Sequence, residues 1–231
     1  MKVAVSWSGG KESCLACYKA MAGGSDIAFL VTFLWETRFV CHPLSLMRLQ
    51  SKALGIPHVK VKVKEPYFKE YREAISRFIK EDGIEGIVTG DISVVDSFHK
   101  WQIDDVCKGL SVNVVKPLWG LDRYQILNEL VSKGFKAVFT CVRQPWFDEK
   151  WVGRELDRGY LKDLKELKVK HGIDLCGERG EYHTMIIDAP IFKEVIQISK
   201  FSKEKKGSLF FMKPTQFFLR PKHGTNNLSK G

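Results

Sequence analysis

The chain of 231 residues alternates between short apolar runs and amphipathic segments up to about residue 140. The apolar runs are rich in β-branched residues, which is typical of strands buried in a parallel sheet. Between them, apolar residues recur every three or four positions, as expected for helices that pack one face on such a sheet. The pattern predicts strands at 2–7, 27–34, 58–63, 84–90, 112–115 and 135–142, and helices at 12–22, 44–54, 66–82, 96–109 and 122–133.

From about residue 143 this pattern changes. An irregular segment leads into a predicted helix at 159–171, and 193–219 is typical of antiparallel strands. Alternating strands and helices before this point indicate right-handed β–α–β units, so the fold class predicted is α/β, a parallel sheet followed by a smaller α+β domain. The expected domains are 1–143 and 144–222, with a flexible polar tail at 223–231.

Composition and charge narrow the class of protein further. Hydrophobic residues make up 44% of the chain, enough for a packed core. No apolar run approaches the roughly 18 residues of a membrane helix, and the N-terminus is already strand-like, so we expect a cytoplasmic protein without a membrane partner. The net charge of +10 favours anionic partners. Because the basic residues are spread along the chain, a solvated lysine-rich surface is expected rather than a nucleic-acid face.

The six cysteines lie mostly within apolar segments, as reduced thiols of a cytosolic protein do. Cys14 and Cys17 form a CxxC pair, a spacing that can serve redox or metal chemistry. They fall inside a predicted helix, and no second CxxC completes a zinc site. A structural role is predicted for both.

The clearest chemical signal is the turn SGGKES, residues 8–13, between the first strand and the first helix. A loop at the carboxyl end of a parallel strand lies at the ligand-binding edge of the sheet. Its two glycines let the backbone approach an anion, and the helix N-terminus with Ser8, Lys11 and Ser13 supplies donors. The spacing is neither that of a Walker A loop nor that of a dinucleotide turn. The residues alone therefore predict another type of phosphate-binding loop, with a plain Gly-Gly turn as the alternative.

This loop resembles the PP-loop of ATP pyrophosphatases, which split ATP between its α- and β-phosphates. Further motifs, in order EGIVTGDI, PLW, GFKA and GERGEYHT, are similar to those of the diphthine–ammonia ligase family, and the resemblance spans about residues 2–192. It implies a PP-loop (HUP-like) first domain that uses ATP and Mg²⁺. The nucleotide-binding residues that it implies are Ser8, Gly9, Gly10, Lys11, Glu12, Ser13 and Gly90.

Two groups of side chains are candidates for catalysis. Asp91 follows the fourth strand at the same sheet edge as the loop, where a carboxylate can hold Mg²⁺ or orient the substrate; a helix cap is the alternative. Glu178, Glu181 and His183 lie in the glycine-bent GERGEYHT segment, where they could bind a metal, position ammonia or carry a proton. The resemblance implies that this segment is an active-site loop of the second domain.

The activity that the resemblance implies is ATP-dependent amide formation. A substrate carboxylate is adenylated with release of pyrophosphate, and ammonia then displaces AMP. Diphthine on elongation factor 2 is the first candidate for the acyl substrate. A tRNA-thiolating PP-loop enzyme and a non-catalytic nucleotide sensor stay open as alternatives, and a homodimer is one option for the assembly.

The segment SFHKWQID, residues 97–104, departs from the family pattern. True diphthine ligases carry a Gln-Arg-x-Arg-type stretch here, whereas this chain is closer to a bacterial-type branch linked to corrinoid salvage. Glu12 also stands where the PP-loop usually has Asp. Amidation of another small acid therefore stays open, and the predicted substrate-binding residues are His99, Lys100 and Trp101.

Overall fold

The structure, a computed structural model, describes residues 1–35, 41–94 and 101–222. The described strands are β1 (Lys2–Ser6), β2 (Asp26–Leu34), β3 (His58–Lys62), β4 (Gly86–Val88), β5 (Asn113–Val115), β6 (Lys136–Arg143), β7 (Tyr182–Asp188), β8 (Glu194–Lys206) and β9 (Leu209–Pro221). The described helices are α1 (Lys11–Ala22), α2 (Leu44–Leu54), α3 (Tyr67–Arg77), α4 (Ile103–Cys107), α5 (Arg123–Ser132) and α6 (Arg158–His171). Helix α3 continues into a π-helical turn at Phe78–Asp82, and a 3₁₀ turn spans Glu149–Trp151.

The first sheet is parallel and has the strand order β3-β2-β1-β4-β5. The chain therefore runs outward from β1 in one direction and then restarts at β4 on its other side. In such a sheet, the loops after the two strands at this switch point diverge and leave a crevice at the carboxyl edge. The predicted α/β class with a second, smaller sheet is confirmed.

Alternate residues of β1 belong to two different hydrophobic cores. Val3 and Val5 pack with α1 and α2, whereas Ala4 packs with α3 and α4 on the other face. Since successive side chains of a strand point to opposite faces, both faces of this sheet are covered by helices. Continuous burial explains why the strands show apolar runs without a polar alternation.

Strand β6 corrects the sequence prediction for 135–142. It belongs to the second sheet, which is antiparallel and has the order β7-β6-β9-β8. Six of its residues, Ala137–Val142, are buried, because β6 is an inner strand of that sheet. A doubly buried antiparallel strand carries the same apolar run as a parallel one, so periodicity cannot separate them. The change in pairing falls between β5 and β6, ahead of the predicted boundary near 143.

Other predicted elements are found with small changes in their ends. Of the helix predicted at 96–109, the described residues 101–109 are helical only in α4, and 95–100 lie outside the described residues, as does the tail at 223–231. The predicted antiparallel strands at 193–219 are β8 and β9, which pair along most of their length. Of the helices that the described residues form, none has the length and apolar character needed to span a membrane.

A single hydrophobic core joins the two sheets. It contains Val5 of β1 and Leu15 of α1 together with Phe139 of β6 and Met185 of β7. The second sheet thus packs against the α1–α2 side of the parallel sheet. This packing brings the segment before β7 to the carboxyl edge of β1.

Candidate functional site

The loop between β1 and α1 is held by its own hydroxyl groups. Ser8 Oγ lies 3.1 Å from Ser13 Oγ and accepts a hydrogen bond from Gly10 N at 3.3 Å. Ser13 Oγ can also donate to Gly10 O at 3.1 Å. Gly10 is the N-cap of α1, and no side chain caps this end of the helix. The first N–H groups of α1 therefore remain for a ligand, and the helix dipole favours an anion there.

Gly9 is required by its backbone conformation and by its neighbours. Its φ is +76°, and an added Cβ would lie 2.5 Å from Gln50 Oε1 and 2.6 Å from Met185 Cε. Gly9 faces these buried side chains rather than the open space in front of the loop. Its role in the described structure is to let the loop turn against α2 and β7.

Gln50 is a site residue that the sequence analysis missed. Its side chain is fully buried, and Nε2 donates to Gly9 O at 2.8 Å and to Ile186 O at 2.7 Å. Its Oε1 accepts a hydrogen bond from Trp7 Nε1 at 3.0 Å. Ile186 N also donates to Gly9 O. One amide group thus joins β1, the glycine loop and β7, which fixes the loop relative to the second sheet.

Gly90 lies directly against the start of α1. An added Cβ would come within 2.7 Å of the carbonyl carbon of Glu12 and 2.8 Å of Ser13 N. Only a residue without a side chain lets the loop after β4 approach this closely. Its neighbour Asp91 lines the same cavity as the glycine loop, as the edge position of both loops predicts. Burial raises the pKa of Asp91 above its usual value.

Lys11 is buried and is already bound within the protein. Its Nζ donates to Cys176 O at 2.7 Å, lies 2.7 Å from a carboxylate oxygen of Glu12, and lies 4.5 Å from the centre of the Tyr182 ring. Burial acts to lower the pKa of Lys11, but the Glu12 carboxylate and other neighbours outweigh it and raise that pKa overall. Lys11 therefore stays protonated and places a fixed positive charge beside the loop.

A cavity of about 550 Å³ lies in front of the glycine loop. That volume is in the range of small-molecule binding sites. One side is formed by the loop with Gly90 and Asp91, and the other by residues 176–184 of the second sheet and the turn before it. The cavity thus brings together most of the residues predicted for the site. Those that line it are Ser8, Gly10, Lys11, Glu12, Ser13, Gly90, Asp91, Glu178 and His183.

His183 forms a pair with His42, which is not among the predicted site residues. His183 Nδ1 lies 3.2 Å from His42 Nε2, and both rings line the cavity. Burial, together with the charge of Lys11, lowers the pKa of His42 to about 4. Burial, the neighbouring His42 and Lys11 lower the pKa of His183 to about 3. Both imidazoles are therefore neutral at physiological pH.

The pKa of Glu178, in contrast to those of the two histidines, is raised toward neutral pH. Glu178 lines the cavity near Glu12 and Asp174, and burial followed by the charge of Glu12 raises its pKa to about 7. A carboxylate that titrates near neutral pH can both accept and release a proton there. A strong pKa shift in a cavity is typical of functional groups.

Glu181 does not line the cavity. It is 1% exposed, and its carboxylate accepts hydrogen bonds from Asp174 N at 2.8 Å and Arg179 N at 3.0 Å. These bonds shape the turn that carries Glu178. In the described structure Glu181 is a residue that positions its neighbours.

Some polar atoms in the cavity wall are buried and have no hydrogen-bond partner among the described residues. They include His42 Nδ1 and Thr184 Oγ1, both from cavity-lining residues. Buried polar groups are almost always paired in native proteins, so these two atoms are exceptions among the residues of the cavity wall.

The predicted substrate segment is only partly described. His99 and Lys100 lie outside the described residues. Trp101 is half-buried and packs against Tyr71, with ring centroids 5.1 Å apart, and Tyr71 itself lines the cavity. Trp101 is therefore next to the cavity wall, behind a residue that the sequence did not single out.

The site suits a metal ion that is held mainly by the phosphates of a bound nucleotide. Within residues 1–35, 41–94 and 101–222, no group of three or more His, Cys, Asp or Glu side chains is arranged to hold a metal. Mg²⁺, however, usually binds through one or two carboxylates together with the phosphates of a nucleotide. The half-buried Asp91 carboxylate fits that pattern.

A parallel sheet with a glycine loop at its switch point, covered by an acidic loop from a second sheet, defines a PP-loop type of nucleotide-binding protein. Family models for the diphthamide synthase N-terminal and C-terminal domains match residues 1–114 and 122–214. The chain therefore belongs to the diphthamide synthase family, and the resemblance seen in its motifs is confirmed.

Curated relatives agree with this assignment. Proteins named diphthine–ammonia ligase from Bos taurus and Homo sapiens are each 26% identical over 222 residues, covering 85% of this chain and 82% of the relative. The relative of that name from Schizosaccharomyces pombe is 25% identical over 226 residues, covering 86% of this chain but 36% of the longer relative. A solved structure described as a predicted subunit of tRNA methyltransferase from Methanocaldococcus jannaschii aligns with a TM-score of 0.42 and 16% identity, covering 82% of this chain and 98% of that chain.

Proposed function

We propose that this protein uses ATP and ammonia to convert the carboxylate of diphthine into the amide of diphthamide. The observation that carries the proposal is the cavity in front of the glycine loop. It is lined by Gly10 at the N-terminus of α1, which no side chain caps, by the buried Lys11, and by Glu178, whose pKa is near 7. That combination suits the two half-reactions of an adenylating ligase.

Adenylation is the first half-reaction. An oxygen of the substrate carboxylate attacks the α-phosphorus of ATP, the bond from that phosphorus to the bridging oxygen breaks, and pyrophosphate leaves. In this proposal, the N–H groups at the start of α1 and the charge of Lys11 stabilise negative charge on the leaving group. The products of this step are an acyl-adenylate and pyrophosphate.

Asp91 would hold Mg²⁺ on the phosphates, and the bound ion would neutralise part of their charge. Residues of the chain do the remaining work. Gly90 keeps the loop that carries Asp91 against α1, and the hydroxyl groups of Ser8 and Ser13 keep the glycine loop in shape.

Amide formation is the second half-reaction. Ammonia attacks the acyl carbon, AMP leaves, and the nitrogen loses a proton. Glu178, with its pKa near 7, is partly ionised at neutral pH and accepts that proton. Because one ring of the neutral His42–His183 pair donates to the other, one acceptor nitrogen of the pair is left to accept a hydrogen bond from ammonia, whereas charged imidazolium rings would repel an ammonium ion.

The test is a reaction of the purified protein with ATP, ammonium and elongation factor 2 that carries diphthine. Mass spectrometry should show conversion of the carboxylate to the amide, and chromatography should show AMP and pyrophosphate as products. ADP as the main nucleotide product, or no amide, would overturn the proposal. A corrinoid carboxylic acid in a parallel reaction separates this substrate from the small-acid alternative.

A further inference from the structure

Aromatic side chains form one wall of the cavity beside the glycine loop. Phe33, Trp35 and Tyr71 all line it. Trp35 Nε1 donates a hydrogen bond to Tyr71 Oη at 3.1 Å, and Phe33 stacks on the Tyr71 ring with centroids 3.9 Å apart. Trp101 packs on Tyr71 from the neighbouring segment. The rings therefore hold one another in place, which makes this wall a preformed surface.

The polar neighbours of Trp35 do not by themselves select a charged ligand. Trp35 is 36% exposed and also lines an adjoining groove that contains Glu70 together with Lys62 and Lys64. Burial raises the pKa of Tyr71 to about 12, so its ring stays a neutral phenol. The ring faces are thus the distinctive chemical feature of this wall.

Diphthine contains a group that suits such a wall. Its trimethylammonium nitrogen is bonded to the same carbon atom as the carboxylate that is amidated. A quaternary ammonium donates no hydrogen bonds and is attracted to the faces of tryptophan and tyrosine rings. Because a single carbon separates the two groups, the site for the cation has to adjoin the site of adenylation. In this structure the aromatic side chains and the glycine loop line the same cavity.

We propose that the ring of Trp35, held in place by Tyr71, binds the trimethylammonium group of diphthine while its carboxylate lies beside the glycine loop; this inference rests on the proposed function. The wall also has a role in the reaction. Adenylation moves the negative charge from the carboxylate next to the quaternary nitrogen to the more distant phosphate of the acyl-adenylate, so the contact between the cation and the ring faces gains in relative importance. Contacts that strengthen as the reaction proceeds contribute to kcat as well as to binding.

The first experiment compares kcat/KM on diphthine-bearing elongation factor 2 for four proteins: the wild type, Trp35→Leu, Trp35→Phe and Trp119→Leu. Trp35→Leu should lose about tenfold or more in kcat/KM, with Kd for ATP unchanged. Trp35→Phe, which keeps a ring face, should lose less. Trp119 is a matched control because it is 39% exposed, outside the cavity lining, and already has Lys116 Nζ 3.8 Å from its ring centre. Equal kcat/KM in all four proteins would overturn the proposal.

The second experiment separates a cation site from a merely apolar one. Choline and its neutral isostere 3,3-dimethylbutan-1-ol are compared as inhibitors of amidation. Choline should compete with the protein substrate and inhibit about tenfold more strongly than the alcohol, and this preference should vanish in Trp35→Leu. Equal inhibition of the wild type by both compounds, or no inhibition by either, would contradict a trimethylammonium site.

A failure of the proposed function gives a different result. If the wild type does not amidate diphthine at all, that proposal fails, and the aromatic wall is then tested by binding alone. Saturation-transfer NMR on the methyl protons of choline should show a signal with the wild type that Trp35→Leu loses and Trp119→Leu keeps. Absence of that signal in the wild type would overturn the aromatic site independently of activity.

Discussion

The two facing walls of the cavity are built on different principles. The loop wall, residues 8–13 with Gly90, is made of backbone and small residues in close contact, and Lys11 provides a charge that does not titrate near neutral pH. The opposite wall, from residues 176–184, carries Glu178, whose pKa is raised to about 7, and His183, whose pKa is lowered to about 3. The loop wall should therefore respond to changes of volume, and the opposite wall to changes of charge.

A change of volume in the loop wall is expected to have the largest effect. In Gly10→Val the Cβ would lie 3.2 Å from Thr184 O and 3.3 Å from Ser8 Oγ, and the added methyl groups would block the N–H groups of α1. We expect ATP affinity to fall by about 100-fold or more. Calorimetric titration with ATP measures this, with circular dichroism as the check on folding.

Gly23→Ala is the matched control for this substitution. Gly23 is at the other end of α1, has a negative φ, and leaves 3.4 Å between an added Cβ and Lys19 O. It should bind ATP as the wild type does. A folded Gly10→Val protein with unchanged ATP affinity would show that volume in the loop wall does not matter.

The second largest effect is expected for a change of charge in the opposite wall. Glu178→Gln keeps the shape but cannot accept a proton, so kcat should fall by about 100-fold while ATP affinity is kept. In the wild type, kcat should rise with pH as the Glu178 carboxyl ionises near pH 7. The variant should lose this inflection. If the pH profile of Glu178→Gln keeps the inflection of the wild type, the inflection belongs to another group.

The same variant has a signature in stability. The pKa of Glu178 is raised in the folded state to about 7 from 4.5, so the folded protein holds a proton that the unfolded chain releases. The stability that this proton provides is present below pH 4.5 and is lost as the pH rises through 7. The Tm of Glu178→Gln minus the Tm of the wild type should therefore be larger at pH 8 than at pH 5. Thermal denaturation at the two pH values measures this difference.

The connection between the walls is tested by Gln50→Leu. Leucine fills the space but leaves Trp7 Nε1 without its acceptor and Gly9 O without one of its donors. An unpaired buried polar group costs about 1–3 kcal/mol, so we expect a lower Tm and about a tenfold weaker affinity for ATP. Gln50→Glu should be more damaging, because a carboxylate would face two carbonyl oxygens. If both variants match the wild type in affinity for ATP, Gln50 does not position the loop.

The sequence predicts the loop wall better than the opposite wall for a physical reason. The glycine loop is a local motif, and its place at the sheet edge follows from the strand before it. The pKa of Glu178, in contrast, depends on its burial next to Glu12, which lies far away along the chain. The motif GERGEYHT indicated that the segment is used but not that Glu181 holds the turn while Glu178 faces the cavity.

Of the site residues that the sequence analysis missed, Gln50 could have been recognised from the sequence, whereas Trp35 and Tyr71 could not. Gln50 lies on the same helical face as Leu46, Met47 and Leu54, so a polar residue at a core position could have been noticed. Trp101 was the one aromatic residue among the predicted substrate-binding residues. Trp35 and Tyr71 are on different elements, and only the fold brings their rings together.

The smallest effect is expected for the double variant Cys14→Ala and Cys17→Ala, which changes neither wall. Both thiols are buried in α1 behind the loop; burial raises the pKa of Cys14 well above its usual value and that of Cys17 to about 12. Burial also raises the pKa of Cys176, whose backbone binds Lys11. Sulfur transfer in a tRNA-thiolating enzyme needs a thiolate, and burial keeps these three thiols protonated at neutral pH, whereas a hydrogen bond with Cys141 lowers the pKa of Cys41.

The double variant should therefore keep kcat and Kd for ATP within about twofold, with a lower Tm from the lost packing in the core. Amidation kinetics and thermal denaturation measure the two effects separately, and metal analysis of both proteins completes the test. Loss of activity together with loss of bound iron or zinc would make the pair a functional centre beneath the loop. In that case the loop wall would carry chemistry of its own, and the division between a wall that binds and a wall that moves protons would no longer hold.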